Sequence, residues 1–501
     1  MKKTIAMTAA FLLSFSAMSI MTSAAETGSV SVYVTISDNN AKLQAVQEEI
    51  EVTDVDNDGV LTIDDALYLA HEKLYDGGAE AGYKSSMGNW GKMLNKLWGI
   101  ENGGAFAYYV NGKSAMSMDD ELKDGDYLDA YAYTDQIGWS DSYSFFNSRK
   151  VYTRPGTAAD LKLSRIGYDA NYIAYEMAVG DAVITVNGEY TDILTDEAGN
   201  FSFTADEIGK YVISAYSEDH IIVPPASVAE IDDYTISKGV SLTLDGNIGL
   251  NFYADLGDDI EKVVLEGPAG DIVFEGTDLD TYKQSDGIYK FTYEVNACQA
   301  ASKITLKVYD QDGAQDKIIK SDYAFDVFDE IEYSVNDYIA DSEKYSSDET
   351  LSDLVIALDN YCKAADNYFN GAENQLHHKR IVTDDEYEYY KPTLCGNKLA
   401  LVLNSRTAVR VFYDGDADKA VLRNNGKTLY KKEGGIFDIP NISADKLMDL
   451  YVLEIDGEAM MFSPVSYCYL ANGTDDAKLK DIGKSLMIYG DAAFKYKKEN
   501  K

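Results

Sequence analysis

"LSDLVIALDNYCKAADNYF", Leu351–Phe369, aligns without a gap on "LKDIGKSLMIYGDAAFKYK", Leu479–Lys497. Leu351, Asp353, Leu358, Tyr361, Ala364, Ala365 and Tyr368 meet their own residue types at Leu479, Asp481, Leu486, Tyr489, Ala492, Ala493 and Tyr496, and Leu354 meets Ile482. Leu354, Leu358, Tyr361, Ala365 and Tyr368 fall at the spacing of one helical face, so each copy predicts an amphipathic helix with a buried tyrosine. The segments in front correspond more loosely, "LTLDGNIGLNFY" (Leu242–Tyr253) before the first and "LVLNSRTAVRVFY" (Leu401–Tyr413) before the second. The duplication predicts two β-plus-helix modules, residues 236–372 and 393–498, joined by a polar linker at 373–392. Each helix is expected to pack on the β-unit preceding it.

Working toward the N-terminus, residues 151–231 predict a separate β-sandwich. "AVITVNGEYTDILTDEAGNFSFTADEIGKYVISAYSEDHIIVPP" (Ala182–Pro225) alternates short β-rich runs with Asn-Gly, Ala-Gly and Ile-Gly turns. Its "TDEAGNFSF…GKYVISA" pattern resembles the immunoglobulin-like modules of bacterial surface proteins, which implies a spacer or binding platform. The duplicated region is similar to an uncharacterised repeated module of secreted proteins from anaerobic gut Firmicutes.

Residues 26–150 form the first globular segment. It opens with the alternating strand "SVSVYVTI" and ends in "FAYYVNGKSAM" and "LKDGDYLDAYAYTD". Asn111–Gly112 suits a tight hairpin, and Asp124–Gly125–Asp126 a turn before an alternating strand. Over residues 28–136 these motifs resemble the small β-grasp domain at the C-terminus of cobalamin carriers such as transcobalamin. Cobalamin binding is not implied, because those carriers also use a helical domain to cover the ligand. The fold class is therefore multidomain, mainly β with α (α+β).

Inside this first segment lies "DVDNDGVLTIDD", Asp54–Asp65, five aspartates and an asparagine in a dozen residues. Read as a calcium loop, it sets Asp54, Asp56 and Asp58 at positions 1, 3 and 5, and Gly59 at the sharp turn. Val60 offers its carbonyl at 7, Thr62 stands at 9 and Asp65 at 12. Calcium takes several oxygens at ~2.3–2.6 Å, and this alternation wraps the chain around one point. "TIDDALYLAHEKLY" then predicts a helix with Ile63, Leu67, Ala70 and Leu74 on one face. The competing reading is a solvated acidic turn. A strand-like "EEIEVT" before the loop, with aspartate in the last position, resembles the calcium loop of dockerins. Dockerins carry two such loops in tandem, and "DGDADKAVLRNN" from Asp414 has Lys419 where glycine is needed, so the loop is a degenerate, single one.

Lys2 and Lys3, an apolar run and the small residues "TSAAE" describe a secretory signal peptide over residues 1–25. The formal charge is −41, and two units more negative once that leader is removed. Such a surface repels phosphate backbones and anionic lipid, which argues against nucleic-acid partners. No later apolar run reaches the ~20 residues of a membrane span, which argues against membrane insertion. An apolar content of 46% supports real cores. The four cysteines, Cys298, Cys362, Cys395 and Cys468, form no CxxC pair and do not occupy matching repeat positions, so free thiols are expected.

No GxSxG, HExxH, Walker loop or GxGxxG occurs, and modules this small leave no room for a glycosidase barrel of ~250 residues. The function expected is a secreted, extracellular or cell-surface, calcium-binding protein that adheres to a glycan or protein ligand without catalysis. The alternative is a carbohydrate-active or cellulosome-associated component.

Overall fold

Alternation of apolar residues along Ser29–Ser37 builds the first sheet: Val32, Val34 and Ile36 all point inward and are fully buried. The computed structural model describes residues 28–500 apart from 89–90, 172, 346–347, 405, 414–418, 424–428 and 433. The leader expected at 1–25 lies outside the described residues. Strands dominate and helices are few. Contacts group the described chain into two units, residues 28–234 with 319–327, and residues 235–318 with 328–500.

In the first unit, β1 (Ser29–Ser37), β2 (Leu43–Thr53), β3 (Phe106–Val110), β4 (Lys113–Ser114) and β5 (Tyr127–Ala132) form one sheet in the order β2-β1-β5-β3-β4. The central pair β1–β5 is parallel, with Tyr33 opposite Tyr127 and Ser37 opposite Tyr131, while every other pairing is antiparallel. Asn111 and Gly112 both adopt left-handed backbone at the β3–β4 turn, the conformation a two-residue hairpin of this hand requires. Helix α1 (Ile63–Leu74) lays Ile63, Ala66, Leu67 and Ala70 on Ile50, Val52 and Leu128 of the sheet. Leu74, the last residue of the expected face, is only partly buried.

A two-sheet β-sandwich follows from Ser144. One sheet carries Ala174–Ala178, Ala159–Tyr168 and Asn200–Phe203, with Ser144–Phe146 paired to the long strand. The other orders Glu189–Leu194, Val183–Val186, Gly209–Tyr216, Ser227–Ile231, Lys150–Thr153 and Tyr323–Ala324. Leu161, Leu163 and Phe201 from the first sheet meet Val151, Ile184 and Ile213 from the second in one core.

In the second unit, the same order of elements precedes each of two long helices, α2 (Glu349–Phe369) and α3 (Ala477–Glu499). An antiparallel hairpin comes first, Thr235–Thr243 with Ile248–Asp255, then Lys398–Val402 with Ala408–Phe412. A strand pairs with the hairpin's second arm, Tyr289–Val295 and then Ile436–Ile439. A short 3₁₀ turn follows, Ala297–Gln299 and Ala444–Lys446. α2 packs on the first of these turns and α3 on the second. In α3, Gly490 makes this contact fit, since a Cβ there would lie 2.9 Å from Leu447 Cβ.

The structure differs from expectation in what else the helices touch. α2 and α3 also pack on one another, and Tyr361 and Tyr489 stack with ring centroids 5.3 Å apart and planes 9° from parallel. The reason is the width of the apolar face. Val355, Ala357, Cys362 and Ala364 are buried beside the predicted stripe, which one β-unit does not cover, and a single core runs through both repeats. All four cysteines are free thiols, Cys362 and Cys468 deep in that core.

Candidate cation site

The loop before α1 draws its shape from its own side chains. Asp54 accepts backbone hydrogen bonds from Asp58 and Gly59 through its two carboxylate oxygens, at 3.0 and 2.9 Å. Asp58 accepts the Val60 N–H at 2.9 Å. Asn57 and Gly59 take left-handed backbone, which lets the chain fold back on Asp54. As a result Asp54, Asp56 and Asp58 each offer a carboxylate oxygen within 4.8 Å of the others. Three hard oxygen donors at this spacing fit a divalent cation of calcium's type.

Asp65 stands outside that cluster and has another task. One of its oxygens accepts the Val55 N–H, and the other accepts both the N–H and the hydroxyl of Thr62 at 2.9 and 2.7 Å. Thr62 in turn accepts the Asp65 N–H, closing a reciprocal cap on α1. Both side chains are buried, so Thr62 and Asp65 serve the helix start. Val60 is exposed beside them.

A residue absent from the motif supplies positive charge. The Lys92 ammonium lies 2.8 Å from Asp56, 2.8 Å from Asp64 and 3.6 Å from Asp119. It thus compensates Asp56, one of the three clustered carboxylates, together with Asp64. Burial penalises this ammonium, but its hydrogen bonds to Asp56 and Asp64 outweigh the penalty and raise its pKa. The same bond holds the Asp56 carboxyl below the usual range. Tyr83 donates to Asp64 at 2.5 Å, and burial next to that carboxylate raises its pKa well above the ordinary phenol. A cavity of about 490 Å³ lined by Asp56, Asp64, Tyr68 and Tyr83 opens beside the loop. No local spacing could have pointed to Lys92, which reaches the loop from the hairpin Lys84–Gly88 and Gly91–Lys96.

About two turns further along α1 from Asp64, His71 is fully buried. Its Nδ1 lies 2.6 Å from the Leu67 carbonyl and its Nε2 accepts the Trp98 N–H at 2.9 Å, which defines a neutral ring protonated at Nδ1. Burial pulls its pKa down to about 4, against the smaller opposing effect of the Leu67 carbonyl.

Among the described residues no helix is long and apolar enough to cross a membrane. No family model matches the chain, and no curated protein does. Among solved structures it is similar to the Yersinia pseudotuberculosis adhesin InvE at 10% identity and a TM-score of 0.15, over 39% of this chain and 60% of that one. It thus spans less than two thirds of the adhesin. It is also similar to the D0-D1 domain of intimin at 11% identity and a TM-score of 0.15, over 39% of this chain and 98% of that one. The I9-I11 tandem of titin matches at 8% identity and a TM-score of 0.15, over 48% of this chain and 82% of that one. At these scores the likenesses support no inference about activity.

Proposed function

We propose that this chain is a secreted, non-catalytic, multi-module protein that adheres to an extracellular glycan or protein, with one structural calcium ion in its first domain. That domain is a β-grasp, supported by the parallel β1–β5 pair at the centre of a mixed sheet and by α1 across it. Residues 151–231 belong to an immunoglobulin-like sandwich, and 236–372 and 393–498 are repeats of one β-plus-helix module. The observation that supports the calcium reading is the convergence of Asp54, Asp56 and Asp58 at one point. The ion would be held by those three carboxylates and the Val60 carbonyl, and would tie the loop to the capped start of α1. It would act structurally, because one loop without a partner has no second conformation to switch into.

Adhesion is tested by glycan and protein arrays with the full chain in calcium and in chelator, beside a hydrolysis screen on the same glycans. The proposal expects retention of an array ligand without turnover. Hydrolysis abolished by a single carboxylate substitution would overturn it.

A further inference from the structure

Separate from the acidic loop, the first unit holds a second cavity of about 330 Å³ where β1 and β5 meet the start of the sandwich. That volume is at the small end of natural ligand pockets, ~300–1,000 Å³. Its polar lining is an ordered network. Arg149 donates to both oxygens of Asp129, at 3.0 and 2.7 Å, and Tyr143 donates to one of them at 2.6 Å. The ion pair is internally neutral, so it offers no excess charge to repay the desolvation of a charged ligand. Its hydrogen-bonding capacity is not used up. A carboxylate has about four acceptor sites and a guanidinium five donors, more than these bonds consume.

Around this pair the lining is uncharged. Thr35, Ser37, Ser144 and Asn147 bring hydroxyls and an amide, while Tyr131 and Phe145 bring aromatic rings. A further buried group has no partner. Gln47, 8% exposed and not itself a lining residue, donates its side-chain amide to the carbonyls of Arg149 and Ala226, which do line the cavity, while its own Oε1 has no hydrogen-bond partner.

We infer that this cavity binds a neutral pyranose, as a free sugar or as the terminal residue of a glycan. A pyranose combines dense hydroxyls, which the Asp129–Arg149 pair and the Nδ2 of Asn147 can meet, Asn147 Oδ1 being taken by the Lys162 N–H, with a C–H face that packs on aromatic rings. A neutral ligand follows from the compensated pair and from the strongly acidic chain, which disfavours anions. The inference names the site for the glycan branch of the proposed function and rests on that reading.

The test is calorimetric titration of the full chain with glucose, galactose, mannose and N-acetylglucosamine, with glucuronate as the charged arm and a glycan array for terminal sugars. Asn147 is an exposed lining residue, so Asn147→Trp obstructs the cavity from its rim. The expected result is saturable binding of at least one neutral sugar, weakened about tenfold or more by Asn147→Trp at an unchanged melting temperature. Should that variant melt lower, Asn147→Ala is read instead, with several-fold weaker binding expected. No saturable heat from any neutral sugar, tighter binding of glucuronate, or binding unaffected by both substitutions would overturn the site. Array binding that survives both substitutions would leave glycan adhesion standing and locate it elsewhere on the chain.

Discussion

Truncating Tyr361 and Tyr489 tests how the two repeats are joined. Each ring is buried, at 5% and 4% exposure, and each is the other's stacking partner across the α2–α3 contact. Removal of a large core aromatic costs ~3–5 kcal/mol through lost transfer energy and the cavity left behind. A stacked pair adds ~0.5–1.5 kcal/mol beyond its buried area. Tyr361→Ala and Tyr489→Ala should therefore each cost about 3 kcal/mol or more. Because the first truncation already removes the stack, the double variant should fall short of their sum by about 1 kcal/mol. Native-state hydrogen exchange on the full chain reads this directly, as loss of protection in residues 349–369 and 477–499. Either single variant should weaken protection in both helices. Additive costs, or loss confined to the helix that carries the substitution, would show that each tyrosine serves only its own β-unit and refute the shared core.

Acid should destabilise the first domain through His71. Its pKa of about 4 lies below the ordinary 6.5, so its contribution is complete above pH 6.5 and is lost as pH falls toward 4, by about 3 kcal/mol in all. His71→Gln should flatten that part of the pH–stability curve, and an unchanged slope would show that His71 is not its source. Asp129→Ala should lower the denaturation midpoint of the first unit by the equivalent of ~3 kcal/mol, because it removes the carboxylate that the Arg149 guanidinium and the Tyr143 hydroxyl share and leaves the arginine's charge uncompensated there. A change under about 0.5 kcal/mol would mark the pair as solvated.

Local pattern carried much of the architecture. Period-two alternation marks β1, the Asn111–Gly112 pair marks its hairpin, and the spacing of Leu354, Leu358 and Tyr361 marks a buried helix face. Periodicity says which face is buried and not what covers it, which is why the α2–α3 stack was not legible. At the loop, aspartates spaced two apart do gather, since the turn itself is local. Asp65 illustrates an ambiguity: the twelfth position of a calcium loop is also the third residue of a helix begun by Thr62. The Thr-x-x-Asp spacing carries the capping signal, and the structure uses Asp65 that way. Lys92 was hidden for another reason, because nothing in linear spacing reports an ion pair made across 36 residues.

Calcium titration of the full chain by calorimetry, wild type against Asp54→Ala with Asp58→Ala, tests the central claim. The account predicts saturable binding of one calcium by the wild type and weaker binding of magnesium, which sheds its waters reluctantly. It predicts none in the variant. Calcium at a hundredfold excess over its dissociation constant should stabilise the first domain by ~2.7 kcal/mol, and acid should weaken binding as protons claim the carboxylates. Equal, negligible heat from both proteins would contradict it, leaving Asp54–Asp65 as an acidic turn whose cation is Lys92.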